Sequence, residues 1–451
     1  MKIQKYETNF KRNLFWNEST ISTKKYSEKL ENKVINIYPS INYQEIIGFG
    51  GAFTESAGYA YSKLSDFKKA ELINDYFSQS GLNYSMGRLP IGSCDFSLNS
   101  YSYSKKADLS DFSIDRDKKY LLPFLQAALN QRQLKLLASP WSPPSFMKSN
   151  RMLKLGGKLL RKYNQNWAEY LVKYIQSYES ENIHINYMTV QNESNATQIW
   201  ESCLYSAEEE ANFATNCLYY AFVKNNIDTQ ILIWDHNKEK LFSRAMSELN
   251  SNASKQAISG FAFHWYSGDH FENIKLTHEA FPDKLLFHTE GCTGFSHFRK
   301  EDEIQNGEIY AHDILGDLNA GINAFIDWNL LLDHKGGPNH KLNYCNSPIM
   351  LNDDSSDYIK NLTYYYIGHF SRFIKPGAKR IAFSRYDDRI EVTAFINVDG
   401  SIAIVLLNRN DWNFEYNLCI NDNVIHDNLD SHAIVTLLIN WRKNLSKGTD
   451  G

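Results

Sequence analysis

Between about residues 46 and 330, eight short apolar runs alternate with longer stretches of helical period, and this alternation limits the possible folds more than any other feature. The runs are Glu45 to Phe49, Asn83 to Arg88, Leu134 to Ser139, Ile185 to Val190, Gln230 to Trp234, Gly260 to His264, Lys284 to His288 and Ala324 to Trp328. Parallel strands need a crossover of a dozen or more residues, usually a helix, so eight such units predict a (β/α)8 barrel. The intervening stretches have the right period. Trp167, Leu171, Tyr174, Ile175 and Tyr178 recur on one helical face, and Ser206 with Glu209 forms a capping box ahead of a helix over Phe213 to Phe222.

After about residue 375 the period changes to two. Ile390, Val392, Ala394 and Ile396 point one way, Asp399-Gly400 makes a hairpin turn into Ile402 to Leu407, and Ala433 to Ile439 follows. Val34 to Tyr38, before the barrel, reads as a strand of the same unit. The predicted architecture is therefore a TIM barrel over 46–374 with an attached antiparallel β-sandwich side domain formed by both chain ends, 1–45 and 375–451. The last residues, Ser446 to Gly451, are expected to lack order.

Composition narrows the function. Lys and Arg number 48 against 52 Asp and Glu, and no basic run is long enough to track a phosphate backbone, so nucleic acid is not an expected partner. The longest apolar runs, such as Ile402 to Leu407, fall well short of the ~20 residues of a membrane span. Met1 to Phe10 has no apolar signal-peptide core, which predicts a cytoplasmic chain. The six cysteines have no metal-type spacing and read as reduced thiols. Aromatic residues make up 14% of the chain, several of them among polar loop residues, so stacking surfaces for sugar rings are worth seeking.

Two carboxylates directly follow predicted barrel strands, Glu193 after the fourth and Glu290 after the seventh, at the barrel end where active sites sit. A pair of carboxyl groups flanking a sugar is what glycoside hydrolysis requires, and a separation of ~5–5.5 Å would make one of them a nucleophile. For each glutamate taken singly, the alternative is a surface loop residue. Around them, Asn192 is suited to a sugar 2-OH, Tyr266 to orienting Glu290, and Arg88 to pairing with Glu290. Asp95 is suited to sugar hydroxyls, and Trp141 and Trp328 to stacking on a pyranose, although core packing or structural pairing would use the same residues. Asp235, His236 and His264 resemble metal ligands in type, but their spacing is irregular, so neither a metal nor a cofactor is expected. No GxSxG elbow, P-loop or GxGxxG occurs.

These residues lie in stretches that resemble glycoside hydrolase family 30, in particular its glucosylceramidase branch. The stretches run in family order: Gly48 to Glu55, Arg88 to Ser97, Ala138 to Pro144, Gln191-Asn192-Glu193, His264-Trp265-Tyr266, Thr289 to Cys292, Asp327 to Leu330, Gly336 to Asn339 and Ile367 to Ile374. The resemblance implies a retaining β-glucosidase with Glu193 as acid/base and Glu290 as nucleophile. It also implies that Asn192 binds the 2-OH, that Tyr266 bonds the nucleophile with Arg88 and His264 in support, and that Asp95, Trp141, Trp328 and Asn339 line a glucose subsite. The implied substrate is a β-glucoside, either a glycolipid or an oligosaccharide. Endo-β-1,6-glucanase, β-xylosidase and β-fucosidase are rivals that use the same pair, and a carbohydrate-binding inactive barrel is a rival of another class. Glu193 should carry a raised pKa from burial and from Glu290. Ser194 stands where this branch often has Pro, and the chain lacks the N-terminal cysteines and secretion signal of the lysosomal relatives.

Overall fold

The computed structural model describes residues 2–25, 32–294 and 302–440; the tail from Ser446 lies outside them. Strands β1 (Gly48–Ala52), β2 (Met86–Ile91), β3 (Lys135–Pro140), β4 (Tyr187–Thr189), β5 (Gln230–Asn237), β6 (Ile258–His264), β7 (Leu285–Glu290) and β8 (Ala324–Asn329) pair in parallel and close into a barrel in chain order. Buried on both faces, they read as continuous apolar runs. Leu137, Leu232, Ala262 and Phe287 fill the interior, while Leu136, Ala138, Phe261 and Phe263 join the layer beneath the helices. Gly50 permits the close approach of β1 to β2, since a Cβ there would lie 2.3 Å from the Met86 carbonyl oxygen.

Three elements depart from the sequence reading. Glu45 belongs to a long side-domain strand, Val34–Glu45, because it pairs with Lys379, and the barrel starts three residues later. Strand β5 runs on through Asp235 and His236 to Asn237, which places three polar residues at its end toward the barrel mouth. The helix from Ala207 to Lys224 widens into a π turn at Ala214–Leu218, to which apolar periodicity is blind.

Both chain ends build one ten-stranded sheet, which is antiparallel except where Val34–Glu45 meets Phe414–Ile420 in parallel. It folds over on itself, since Ile35, Val392, Ile404, Tyr416, Ile425 and Val435, from strands far apart in the sheet order, share one core. The predicted hairpin is present, with Ile396 opposite Ile402 and Gly400 at φ 82°. The helix Leu362–Ser371 fastens this domain to the barrel. Buried His369 bonds Thr8 Oγ1 at 2.9 Å and Thr436 Oγ1 at 2.8 Å, tying in strands from both ends of the chain. One residue earlier, a Cβ on Gly368 would lie 2.1 Å from the Trp16 ring, which the Tyr365 carbonyl holds through Nε1. Gly368→Ala is therefore expected to lower stability by about 1–3 kcal/mol through overpacking, read as a lower denaturation midpoint at unchanged slope.

Candidate active site

The C-terminal strand ends surround a cavity of about 800 Å³ lined by Asp95, Trp141, Asn192, Glu193, Tyr266, Glu290 and Trp328. A groove of about 780 Å³ lies between the barrel and the side domain. Its charges are largely spent on one another: Arg409 and His312 each reach Glu391 at 2.6 Å, and Arg389 reaches Asp387 at 2.6 Å. The cavity at the barrel mouth instead presents two carboxylates over a buried ionic floor.

Asp235 is the centre of that floor. Fully buried, its carboxylate accepts from Ser139 Oγ (2.9 Å), Thr189 Oγ1 (2.7 Å), Thr289 Oγ1 (2.6 Å), Arg88 (2.9 Å) and His264 Nε2 (3.1 Å), groups drawn from five strands. The backbone bends to place it. Trp234 and Asp235 have φ of 76° and 45°, and the pairing with β6 slips by a residue there, a bulge that re-aims the side chain. Such conformations store roughly 1–3 kcal/mol each and persist only where neighbours over-determine them. Ser194, after Glu193, donates to the Trp234 carbonyl at 3.4 Å.

Arg88 and His264 pass this order upward. Arg88 donates to Glu290 Oε2 (2.6 Å) and Asn192 Oδ1 (2.7 Å), with its guanidinium facing the rings of Trp141 and Trp328. Burial disfavours its charge, but Asp235 and Glu290 outweigh that and raise its pKa. The same contest decides His264. Burial pulls its pKa down, while Glu290, Asp235 and Glu193 push it up to about 9, so the ring is a cation at neutral pH. Its Nδ1 lies 3.6 Å from Glu193 Oε1 and its Nε2 lies 4.0 Å from Glu290 Oε2, so one imidazolium faces both carboxylates.

Glu290 ends strand β7 and accepts from Arg88 and from Tyr266 Oη at 2.9 Å. Glu193 sits in a turn at φ 50°, with its amide bonded to the Asp235 carbonyl and its Oε2 accepting from Gln198 at 3.1 Å. Its pKa corrects the expectation. Burial raises it, but the His264 imidazolium, whose Nδ1 stands 3.6 Å from Oε1, prevails, and the net shift is downward.

One other assignment changes. Asn339 does not line the cavity, because its side chain is used within its own loop, bonding Asn343 O and the Lys341 amide. The lining residue is Asn343, which donates to Asp95 Oδ2 at 2.8 Å; burial and Glu290 hold the Asp95 carboxyl well above its ordinary range. His264, expected to support the nucleophile, lies wholly buried beneath the carboxylates, 3.6 Å from Glu193 and 4.0 Å from Glu290. Trp141 and Trp328 stack on each other, with centroids 5.4 Å apart, while still lining the cavity. Reasoning from sequence missed the roles of Asp235, Gln198 and Asn343. Asp235 ends an apolar run like the other site residues, a signal that was present, whereas the loops carrying Gln198 and Asn343 have no periodicity to mark them. Among the described residues, His288, Asp313 and Asp317 form a cluster of metal-ligand type, but the Lys238 ammonium lies 2.5 and 2.7 Å from the two aspartates, where a cation would sit.

A histidine raised from 6.5 to about 9 adds roughly 3 kcal/mol of stability, fully present below pH 6.5 and lost as pH rises through about 9. The His264 ring resonances should titrate near pH 9 by NMR, and unfolding free energy should fall over the same interval in the wild type but not in His264→Gln.

A model of the glycosyl hydrolase family 30 TIM-barrel domain matches residues 46–374, and one of that family's β-sandwich domain matches 377–437. The lysosomal acid glucosylceramidase of Mus musculus is 31% identical over 398 residues, 83% of this chain and 77% of that one. The crystal structure of SrfJ from Salmonella typhimurium superposes with a TM-score of 0.95 at 37% identity, covering 97% of this chain and 99% of that one. The endo-β1,6-glucanase BT3312 superposes at 0.87 with 28% identity and the same coverage. With both of its domains matched and its strand ends carrying the carboxylate pair, the chain belongs to glycosyl hydrolase family 30 and is a glycoside hydrolase.

Proposed function

We propose that the chain is a retaining β-glucosidase of glucosylceramidase type. The observation that carries this reading is the asymmetric support of two carboxylates about one imidazolium. Glu290, fixed by Arg88 and Tyr266, is presented as a nucleophile, while Glu193, held at the loop side by Gln198, faces the leaving group. Glu193 protonates the glycosidic oxygen as Glu290 attacks the anomeric carbon; the deprotonated Glu193 then activates a water that hydrolyses the ester and releases β-glucose. Arg88 takes the Asn192 carbonyl oxygen, leaving the amide NH2 for the sugar 2-OH. Asp95 and Asn343 offer groups for the remaining hydroxyls.

The rim of the cavity supports an apolar aglycone. Trp200 and Leu342 line the cavity, Leu342 is 74% exposed, and Ile199, beside Trp200 in the chain, is 58% exposed. A second reading, endo-β-1,6-glucanase, is favoured by the likeness to BT3312. The two separate on a panel of glucosylceramide against β-1,6-glucan, where faster release from the glycolipid supports the first.

With an aryl β-glucoside, proton NMR should show β-glucose before its anomer, and Glu290→Gln should lose at least about 10³-fold in turnover while remaining folded. Near-normal turnover by that variant would overturn the assignment. Because the His264 cation lowers the Glu193 pKa, and Glu193 must hold a proton to act as acid, the basic limb of the kcat/KM profile should lie on the acidic side of neutrality. His264→Gln removes that cation, so the limb should move to higher pH.

A further inference from the structure

All six cysteines are buried and joined in no disulfide, and hydrolysis uses none of them. Of the six, Cys292 and Cys345 line the catalytic cavity, 8% and 6% exposed. The backbone holds their segments side by side. Gly294 bridges Cys345 in antiparallel register and the Asn346 amide donates to the Thr293 carbonyl at 2.9 Å, so the two thiols meet on one wall and hydrogen-bond each other.

Each thiol also touches a different half of the site. Tyr266 Oη, which donates to Glu290 Oε1 at 2.9 Å, lies 3.5 Å from Cys292 Sγ. Cys345 Sγ lies 4.0 Å from the carbonyl oxygen of Asn343, whose side-chain amide donates to Asp95 at 2.8 Å. The pair therefore joins the group that orients the nucleophile to the loop that faces the sugar.

Cys292 is poorly suited to act alone. Its hydrogen bond to Cys345, and then burial, hold its thiol well above the ordinary range, so a reagent that needs one sulfur anion meets little of it. Two adjacent soft sulfurs suit a thiophilic electrophile that takes both. Once the first bond has formed, the second is intramolecular, which strengthens binding by roughly 10²–10⁴-fold.

We infer that Cys292 and Cys345 form a two-sulfur site for soft, thiophilic electrophiles of the trivalent arsenical class, and that closing it stops hydrolysis. With phenylarsine oxide the step is a condensation without change of oxidation state: two As–S bonds form, the As=O bond breaks, and both thiol protons leave with that oxygen as one water. The bridging arsenic and its phenyl ring then stand in the cavity the sugar must enter, on the sulfur that faces Tyr266.

The test treats the full chain, reduced beforehand and freed of reductant, with phenylarsine oxide, and reads intact mass beside turnover of an aryl β-glucoside. The wild type should gain one phenylarsenic group per chain and lose its turnover. Dithiothreitol should restore it, and a monothiol at equal thiol concentration should not, because only the dithiol competes as a chelate. Cys292→Ala and Cys345→Ala should each need at least about 100-fold more reagent for the same adduct and the same inhibition, whereas Cys203→Ala should respond as the wild type does. Cys345→Ser, closer to the thiol in shape, gives the same reading if an alanine variant does not fold. No adduct, an adduct that forms as readily in both single variants, or reversal by the monothiol as easily as by the dithiol overturns the site. An adduct on the pair with turnover unchanged overturns the inhibition. Intact mass needs no substrate, so an adduct on the pair in a chain that hydrolyses no glucoside leaves the site standing and sinks the glucosidase reading alone.

Discussion

The buried carboxylate of Asp235 is the interaction on which the site depends. A lone ion in a barrel interior is strongly disfavoured, and the structure answers by surrounding this one with three hydroxyls, a guanidinium and an imidazolium. Those donors come from five strands, so the network also pins the barrel's C-terminal end in one register. The two cations it fixes are the groups that contact Glu193 and Glu290. Order at the bottom of the cavity therefore becomes geometry at the top without any loop having to supply it.

The same network sets the charge states. Counting Asp235, Glu290 and Glu193 against Arg88 and His264, the floor holds close to balanced charge with little access to water, so each proton is decided by its neighbours. His264 stays charged because three carboxylates face it, and Glu193 is easier to ionise because His264 does. This inverts the simple rule that a buried carboxyl rises. A fixed cation a few ångströms away outweighs desolvation, and a proton on Glu193 must then be won at lower pH.

Rigid and variable parts divide along the same line. Arg88, Asp235, His264 and Glu290 stand on strands and share buried bonds, whereas Gln198, Trp200, Leu342 and Asn343 stand on loops over them. Strand residues hold the buried network at the base of the cavity, and loop residues form the wall above it.

Much was legible in the sequence for one reason: apolar period and turn chemistry are local properties. Eight apolar runs ending in polar or aromatic residues specified the barrel, and period-two alternation with Asp399-Gly400 specified the hairpin domain. Position at strand ends brought Glu193 and Glu290 together in advance with Arg88, Asn192 and Tyr266 around them, and resemblance added His264 and Asn339. Tertiary structure alone decided that Asp235 is the hub and that Asn343, not Asn339, faces the cavity. It also decided that Trp141 and Trp328 stack on each other and that the His264 cation lowers the Glu193 pKa. Each of these turns on distances between residues far apart in the chain, which a bulge or a loop's internal hydrogen bonds set and no local pattern encodes.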